Sequence, residues 1–241
     1  MKAVIVNLEC LTNMHVGNGD VNFNIIDNEV ERDVTTGYPT INSSGVKGAL
    51  REYFEKNGLG EIEEIFGGDG KNGNTSPGKL RFLNADMLAM PVRASQGNEA
   101  YYLVSTEEAV SAYTEKQALF LEMKPEAEKK SVEAGKAVEG FAVKEAVTVL
   151  GKDIYLLPEE SFRKISLPVL ARNKLDNGKS VNLWYEEVVP HKSLFSFAVL
   201  AEETDAKVLT SFVEAVNGKI VQFGGNASIG YGLCKVTVTG V

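Results

Sequence analysis

The order of the periodic segments is the feature that most constrains how this chain can fold. Strand, helix and strand patterns occupy residues 2–12, 43–57 and 79–91, and the same order recurs at 195–199, 209–216 and 234–238. The first segment alternates cleanly, because Val4, Val6, Leu8 and Cys10 fall on one face, as in a half-buried strand. Two strand–helix–strand halves therefore lie on either side of a long central region.

This order predicts an α+β fold of the ferredoxin-like (RRM-like) kind. Such a fold has a four-stranded antiparallel sheet with two helices on one face, and the other face is free to bind RNA. We assign residues 1–95 and 191–241 to this core, and residues 96–190 to an insertion, or thumb, between the second and third core strands. The whole chain is then a single domain.

The insertion contains its own signals. Ser105 and Glu108 form a capping box for a helix that runs through about Phe120. Residues 140–190 hold short apolar runs broken by glycine and proline, which predicts an irregular β-rich segment.

Composition limits where the protein works. With 241 residues, 44% hydrophobic and 24% charged, the chain can bury a core, and no apolar run is long enough to span a membrane. The N-terminal residues lack the layout of a signal peptide. Cys10 and Cys234 form no CxxC pair, so we expect buried reduced thiols rather than a zinc site. These features favour the cytoplasm and predict no membrane partner.

The charge is unevenly distributed. A net charge of −8 argues against a stand-alone nucleic-acid binder. However, the stretch from Arg163 to Lys192 contains six Lys/Arg, among them Arg172, against three Asp/Glu. That stretch is a candidate for contact with a phosphate backbone.

The loop over residues 13–42 contains two candidate catalytic residues, His15 and Asp27. His15 is one of only two histidines in the chain. A lone loop histidine is more often a surface residue, and Asp27-Asn28 also fits a turn. The residues alone favour these structural interpretations.

The start of the first helix is a candidate phosphate site. Ser43 and Ser44 expose backbone N–H groups there, and Lys47 and Arg51 add cationic donors. The spacing of a Walker loop is absent. Capping by Ser43 or Ser44, with Lys47 and Arg51 as ordinary surface residues, is an equally good interpretation.

The glycine-rich segment 224–232 lies between a helix and a strand. Gly225, Asn226 and Gly230 belong to it, and glycines let a backbone approach a ligand closely. A tight connection explains the pattern slightly better.

The segment 183–190 combines two aromatic residues with two acids. Trp184 and Tyr185 either stack on a base or form the core of the insertion, and we favour the core. Glu186 and Glu187 point to opposite faces of a strand, which disfavours a shared acid/base pair.

Five motifs together resemble the RAMP superfamily of CRISPR proteins, and most closely the backbone subunit of the type III-B (Cmr) effector complex. The motifs are LTNMHVGNG with IIDNEVERD, YPTINSSGVKGALR, GKLRFLNADMLAMPVRA, LWYEEVVP and FGGNASIGYGL. They span nearly the whole chain in the order expected of that subunit.

The resemblance implies a function. Copies of such a subunit stack along a CRISPR guide RNA, and a thumb displaces one base at regular intervals. A loop aspartate, matching Asp27, then cuts the paired single-stranded target RNA with a divalent metal, Mg²⁺ or Mn²⁺. His15 is a second catalytic candidate in the same loop.

The resemblance also implies RNA contacts and partners. Lys47 and Arg51 match residues that hold the guide, and the loop around Gly225 and Gly230 would contact its backbone. Further copies of the chain and other Cmr-type subunits are the implied protein partners. Two alternatives stay open: a structural guide-binding subunit that does not cut, and an endonuclease that processes CRISPR RNA without metal.

Overall fold

The computed structural model describes residues 1–19, 25–70, 75–123, 127, 129–132 and 134–240. The helices are α1 (Ser43–Lys56), α2 (Ile62–Phe66), α3 (Glu107–Leu121), α4 (Glu159–Phe162) and α5 (Ala206–Val216). The strands are β1 (Lys2–Cys10), β2 (Thr40–Ile41), β3 (Arg81–Phe82), β4 (Ala85–Gln96), β5 (Tyr101–Ser105), β6 (Lys129–Ser131), β7 (Ala137–Val138), β8 (Phe141–Ala142), β9 (Glu145–Val149), β10 (Lys152–Leu156), β11 (Val169–Asp176), β12 (Lys179–Glu187), β13 (Leu194–Ala201), β14 (Ile220–Gln222) and β15 (Leu233–Thr239). This mixture confirms the predicted α+β class. In the described part of the chain, no helix is long and apolar enough to cross a membrane.

The strands at the two ends of the sequence meet in the middle of one sheet. β15, β1, β13 and β4 are neighbours in that order, and each adjacent pair is antiparallel. α1 lies between β1 and β4 along the chain, and α5 lies between β13 and β15. The two strand–helix–strand halves predicted from the sequence are therefore interleaved in the structure.

The expectation of a sheet with only four strands is wrong. In the described residues these four belong to a 13-stranded mixed sheet, which continues from β4 through β5, β10, β9 and β6. β13 pairs with β4 only as far as Ala89, and β5 pairs with residues 90–93 beyond it. Strand β4 therefore continues through Pro91, although the sequence predicted that it ends there. Proline cannot donate a hydrogen bond to a neighbouring strand, but the ladder to β13 has already ended at this position. Much of the insertion extends the main sheet instead of forming a separate segment.

Both faces of the sheet are covered. Val4, Val6 and Leu8 of β1 belong to a core cluster that also contains the buried side chains of α1 and α5. On the opposite face, Ile5 lies in a second cluster with Val110 and Tyr113 of α3. The prediction of a free sheet face for RNA is therefore wrong. Burial of these apolar side chains holds α3 on that face, and stacking bases cannot reach it.

Helix α1 presents one buried stripe, formed by Val46, Leu50 and Phe54. Asn42, rather than Ser43 or Ser44, occupies the N-cap position. Ser43 is already helical, and its N–H donates to Oδ1 of Asn84 at 2.8 Å. The expected serine cap is therefore wrong, because a side chain from a distant loop satisfies this helix end.

Strands β11 and β12 form a separate two-stranded hairpin, which we call the hairpin (residues 169–187). Its two-residue turn, Asn177-Gly178, has positive φ at both positions (48° and 78°), as a type I′ turn requires. Most of its residues are exposed, whereas Val188 and Val189 just after it are buried. The hairpin is therefore anchored at its base.

Candidate functional site

Three distant segments meet at the base of the hairpin: the opening loop (residues 11–39), the hairpin itself and the glycine segment (residues 224–232). The N–H groups of Asp27 and Asn28 donate to the carbonyl oxygen of Tyr185 at 3.1 and 3.2 Å. The N–H of Glu187 donates to the carbonyl oxygen of Asn28 at 2.9 Å. The opening loop thus pairs along the outer edge of β12.

Asp27 lies on the surface of this junction. Its side chain is exposed, and Oδ2 accepts a hydrogen bond from the N–H of Tyr185 at 2.8 Å. Oδ1 has no hydrogen-bond partner among the described residues. The carboxylate is therefore fixed in direction while one oxygen remains available to a ligand.

His15 is almost fully buried, which corrects the expectation of a surface histidine. Its Nδ1 lies 2.8 Å from the carbonyl oxygen of Glu187, and since a carbonyl can only accept, Nδ1 carries the proton. The carbonyl oxygen of His15 accepts the N–H of Gly225 at 2.9 Å. His15 therefore ties the opening loop to both the hairpin and the glycine segment. The described hydrogen bonds do not join it to Asp27.

Glu187 holds the second half of the opening loop. Its side chain is buried, and Oε2 accepts the N–H of Val30 at 3.0 Å. Oε1 accepts from Nη2 of Arg32 at 2.6 Å. The carboxylate thus adds a buried side-chain anchor to a segment whose backbone also makes hydrogen bonds within the loop.

Glu186 points the other way, as the strand pattern predicted. Oε1 accepts from Nδ2 of Asn226 at 2.7 Å, and Oε2 lies 3.4 Å from Nη1 of Arg172. Nη1 of Arg172 also donates to the hydroxyl of Tyr231 at 3.2 Å, and its guanidinium lies over that ring. Two predicted RNA-binding residues, Arg172 and Asn226, are thus brought together by a buried carboxylate.

Sequence reasoning did not assign a role to Glu186, Glu187, Arg32 or Tyr231. Two adjacent acids in an otherwise apolar strand were the available signal, since buried carboxylates need partners. Val30 and Arg32 lie more than 150 residues from Glu187 along the chain, and Asn226 comes from the glycine segment, so spacing could not identify these partners.

The glycines of the glycine segment have different structural roles. A Cβ on Gly224 (φ +77°) would lie 2.3 Å from the carbonyl oxygen of His15, so this close approach requires glycine. Gly225 has ordinary space around it and donates its N–H to His15. Gly230 (φ +82°) faces open space and is needed for its turn alone. The close approach is to the opening loop of the same chain.

The residues at the start of α1 do not join this cluster through any described hydrogen bond. Lys47 is partly exposed and has no partner among the described residues, and Ser44 is exposed. Arg51 is used within the chain: Nε donates to Oε1 of Glu55 at 2.9 Å, and Nη1 donates to the carbonyl oxygen of Gly67 at 2.8 Å. Lys47 is therefore the more available cation on this helix.

The two aromatic residues of β12 behave differently from the prediction. Trp184 is half-buried, but Tyr185 is exposed, so the expectation that both form the core of the insertion is wrong for Tyr185. The alternation of the strand directs Tyr185 away from Glu186 and its partners.

At the far end of the opening loop, Asp33 forms a side-chain turn. Oδ1 accepts the N–H groups of Thr35 and Thr36 at 3.1 and 2.8 Å and the hydroxyl of Thr36 at 3.0 Å. The N–H of Thr36 is the main cause that lowers the pKa of Asp33 below its ordinary value.

No group of three or more His, Cys, Asp or Glu that could hold a metal occurs within the described ranges. Asp27 stands as a single exposed carboxylate. Mg²⁺ is often bound by one or two carboxylates together with waters and substrate phosphates, so this donor fits an ion that arrives with RNA, and it does not fit an all-protein metal cage.

Comparison with known proteins identifies the family and the fold of the chain. The model of the RAMP superfamily matches residues 7–235. The CRISPR system Cmr endoribonuclease Cmr4 of Pyrococcus furiosus is 27% identical over 287 aligned residues, covering 99% of this chain and 96% of that protein. A type III-B Cmr-beta complex bound to cognate target RNA contains a similar chain, with a TM-score of 0.82, 22% identity and coverage of 99% and 97%. The crystal structure of oligomeric Cmr4 from Pyrococcus furiosus is similar with a TM-score of 0.72 and 24% identity, and the match covers 99% of this chain and 98% of that chain.

Proposed function

Because the chain belongs to the RAMP superfamily, we propose that it is a repeated backbone subunit of a type III-B CRISPR complex. In this role it binds guide RNA and cleaves complementary target RNA, with Asp27 as the catalytic residue. The observation that carries the proposal is the exposed Asp27 carboxylate, held by the N–H of Tyr185 where three segments meet. The similarity to a protein named as a Cmr endoribonuclease, over almost the full length of both chains, supports it.

We interpret β15, β1, β13 and β4 as a ferredoxin-like core and the hairpin as the thumb of a single domain. The core then corresponds to about residues 1–95 and 191–241, and the insertion to about 96–190. Since α3 covers the sheet, RNA is bound at the rim formed by the opening loop, the hairpin and the glycine segment. Assembly with further copies and other Cmr-type subunits, in the cytoplasm, completes this groove.

The chemistry uses the 2′-hydroxyl of the target RNA. Its oxygen attacks the adjacent phosphorus, a new P–O2′ bond forms, the P–O5′ bond breaks, and the proton passes to the departing 5′-oxygen through the surrounding solvent. Splaying one nucleotide aligns these atoms, an effect of orientation. A divalent metal, Mg²⁺ or Mn²⁺, would be held by Asp27 and would neutralise charge on the phosphoryl oxygens. The N–H of Tyr185 keeps the carboxylate of Asp27 directed at that position.

His15 supports the site through its contacts. Its ring proton on Nδ1 is directed to the carbonyl of Glu187, and Gly17 packs beside Nε2, where a Cβ would lie 3.0 Å away. This enclosure supports a positioning role, in which His15 fixes the strand whose N–H group orients Asp27. A direct catalytic role would require the imidazole to leave this position.

Guide RNA binding is assigned to the partly exposed cations and the nearby backbone. Lys47, with Ser43 and Ser44 at the start of α1, takes the phosphates, and Arg51 supports them one turn further on. Arg172, Asn226, Gly225 and Gly230 form the second contact region, next to the cleavage site. The net charge of −8 means that neighbouring subunits must supply part of the positive surface.

The test is cleavage of a matched target by the reconstituted complex carrying Asp27→Ala. We expect a loss of roughly 100-fold or more in rate, with assembly and guide binding unchanged. Glu214→Ala, an exposed acid on helix α5, is the control and should cut normally. Cleavage by the unaltered complex should require Mg²⁺ or Mn²⁺ and stop with a chelator.

Normal cutting by Asp27→Ala would remove this residue from the mechanism and leave a guide-binding structural subunit as the better description. Cutting of precursor RNA by the isolated chain in the presence of a chelator would instead indicate a processing endonuclease.

A further inference from the structure

Tyr185 presents an unused aromatic ring at the residue that orients Asp27. Its side chain is 38% exposed. Its ring has no aromatic or cationic partner, and its hydroxyl has no hydrogen-bond partner, among the described residues. Other tyrosines have ring partners there, namely Tyr38, Tyr53, Tyr102, Tyr155, Tyr101 and Tyr231. The backbone of Tyr185 makes hydrogen bonds to Asp27 in both directions, so the ring belongs to the cleavage site.

The ring continues into an apolar strip. Leu183 alternates with Tyr185 on the same face of β12 and is 54% exposed, and Val181, which is 55% exposed, lies two residues earlier at the β-bulge of the hairpin. Ala171, also exposed, lies directly opposite Tyr185 on β11. Contiguous exposed apolar side chains next to a functional carboxylate indicate a surface that is covered when the protein acts.

We propose that Tyr185 is a positioning residue that stacks on the nucleobase beside the scissile phosphate, with Leu183 extending the platform. The inference rests on the proposed function, and it names how that site holds its substrate. Stacking on the ring would keep one nucleotide splayed while its neighbouring phosphate lies at Asp27.

The chemistry of the surface fits a base of any identity. A guide-directed enzyme must accept every target sequence, and stacking is tolerant of sequence because each base has an aromatic face. Polar side chains reading base edges would impose a preference, whereas Leu183 and Tyr185 offer apolar contact, and Oδ1 of Asn173, opposite Leu183, is already taken by the hydroxyl of Ser180. A protein docked on this face would cover Asp27 and block the cut, so RNA is the occupant that the geometry favours.

The experiment uses the complete reconstituted complex and a target RNA with 2-aminopurine at the cleaved step. Tyr185→Ala and Tyr185→Leu should each slow single-turnover cleavage about 10-fold while target affinity stays within a few fold, since pairing with the guide supplies most of the binding. Tyr185→Phe and Tyr185→Trp should retain the rate, because they keep an aromatic face. Tyr101→Ala removes a tyrosine of equal exposure (38%) and should leave the rate unchanged.

A spectroscopic readout separates this inference from the proposed function. In a complex that also carries Asp27→Ala, the 2-aminopurine should be quenched when Tyr185 is present and brighten several-fold in the Tyr185→Leu background. Unchanged quenching together with an unchanged cleavage rate in Tyr185→Leu would overturn the stacking role and leave the nuclease assignment intact. Cutting by Asp27→Ala would defeat the nuclease assignment, while the fluorescence would still report stacking. Failure of both Tyr185→Ala and Tyr185→Leu to assemble would place the ring in a protein–protein contact and overturn the proposal.

Discussion

Replacing Glu187 by alanine should destabilise the chain by about 1–4 kcal/mol. The substitution leaves the N–H of Val30 buried without its acceptor, which costs about 1–3 kcal/mol. The ion pair with Arg32 adds at most about 1 kcal/mol, because the arginine side chain is 41% exposed and can return to water. The buried backbone group therefore dominates the free-energy change.

Glutamine at the same position separates the two contributions. Its side-chain carbonyl can still accept from Val30, but it carries no charge for Arg32, so we expect a loss of only about 1 kcal/mol. Urea unfolding of the purified chain, compared at constant m, measures both values. Glu214→Ala, an exposed acid on α5, is the control and should change the free energy of unfolding by less than about 0.5 kcal/mol.

Equal losses in Glu187→Ala and Glu187→Gln would show that the charge matters more than the buried N–H and would refute this reasoning. A loss below about 0.5 kcal/mol in Glu187→Ala would mean that the opening loop is not anchored by this carboxylate in solution.

Two further predictions concern the loop and its contacts. Gly224→Ala should lower the urea midpoint strongly or prevent folding, because Gly224 has a positive φ and an added Cβ would lie 2.3 Å from the carbonyl oxygen of His15. Gly225 has ordinary space around it, so the free energy of unfolding of Gly225→Ala should stay within about 1 kcal/mol of the parent. Asp33 stabilises the loop through its ionised form, so its contribution should be full above its ordinary pKa of 3.8 and vanish as the pH falls through the lowered value. Asp33→Asn should therefore be less stable than the parent at pH 6, and the difference should shrink as the pH falls below 3.8; a constant difference would contradict this.

The sequence predicted the local pattern of the core well. The alternation in residues 2–12 identified β1, and the helix pattern at residues 43–57 identified α1. Periodicity could not show that the second face of the sheet is also covered. Ile5 lies on the face that the alternation left unassigned, and only the position of α3, which comes from the insertion, buries it.

Only part of the candidate site was predicted, because its contacts join residues that are far apart in the sequence. The resemblance singled out Asp27 and His15, whose placement the structure now describes, but their roles stay predictions. Glu187 holds the N–H of Val30, and the N–H of Tyr185 holds Asp27. In both pairs the two residues are about 160 positions apart, so the sequence pattern could not reveal these contacts. A helix end shows the same limit, since Asn84 rather than a local serine satisfies the N–H of Ser43.

The pairing of β1 with β15 also sets an order of events during synthesis. Residues 5–9 can pair with β13 once residues 194–198 have emerged, but residues 5–10 find their β15 partners only when residues 234–239 have left the ribosome. The glycine segment that contacts His15 emerges just before β15. Contacts of such long sequence separation form slowly and late. A chain that stops before the glycine segment would therefore lack the hydrogen bond between His15 and Gly225, and the junction of the three segments would stay incomplete until that segment is made.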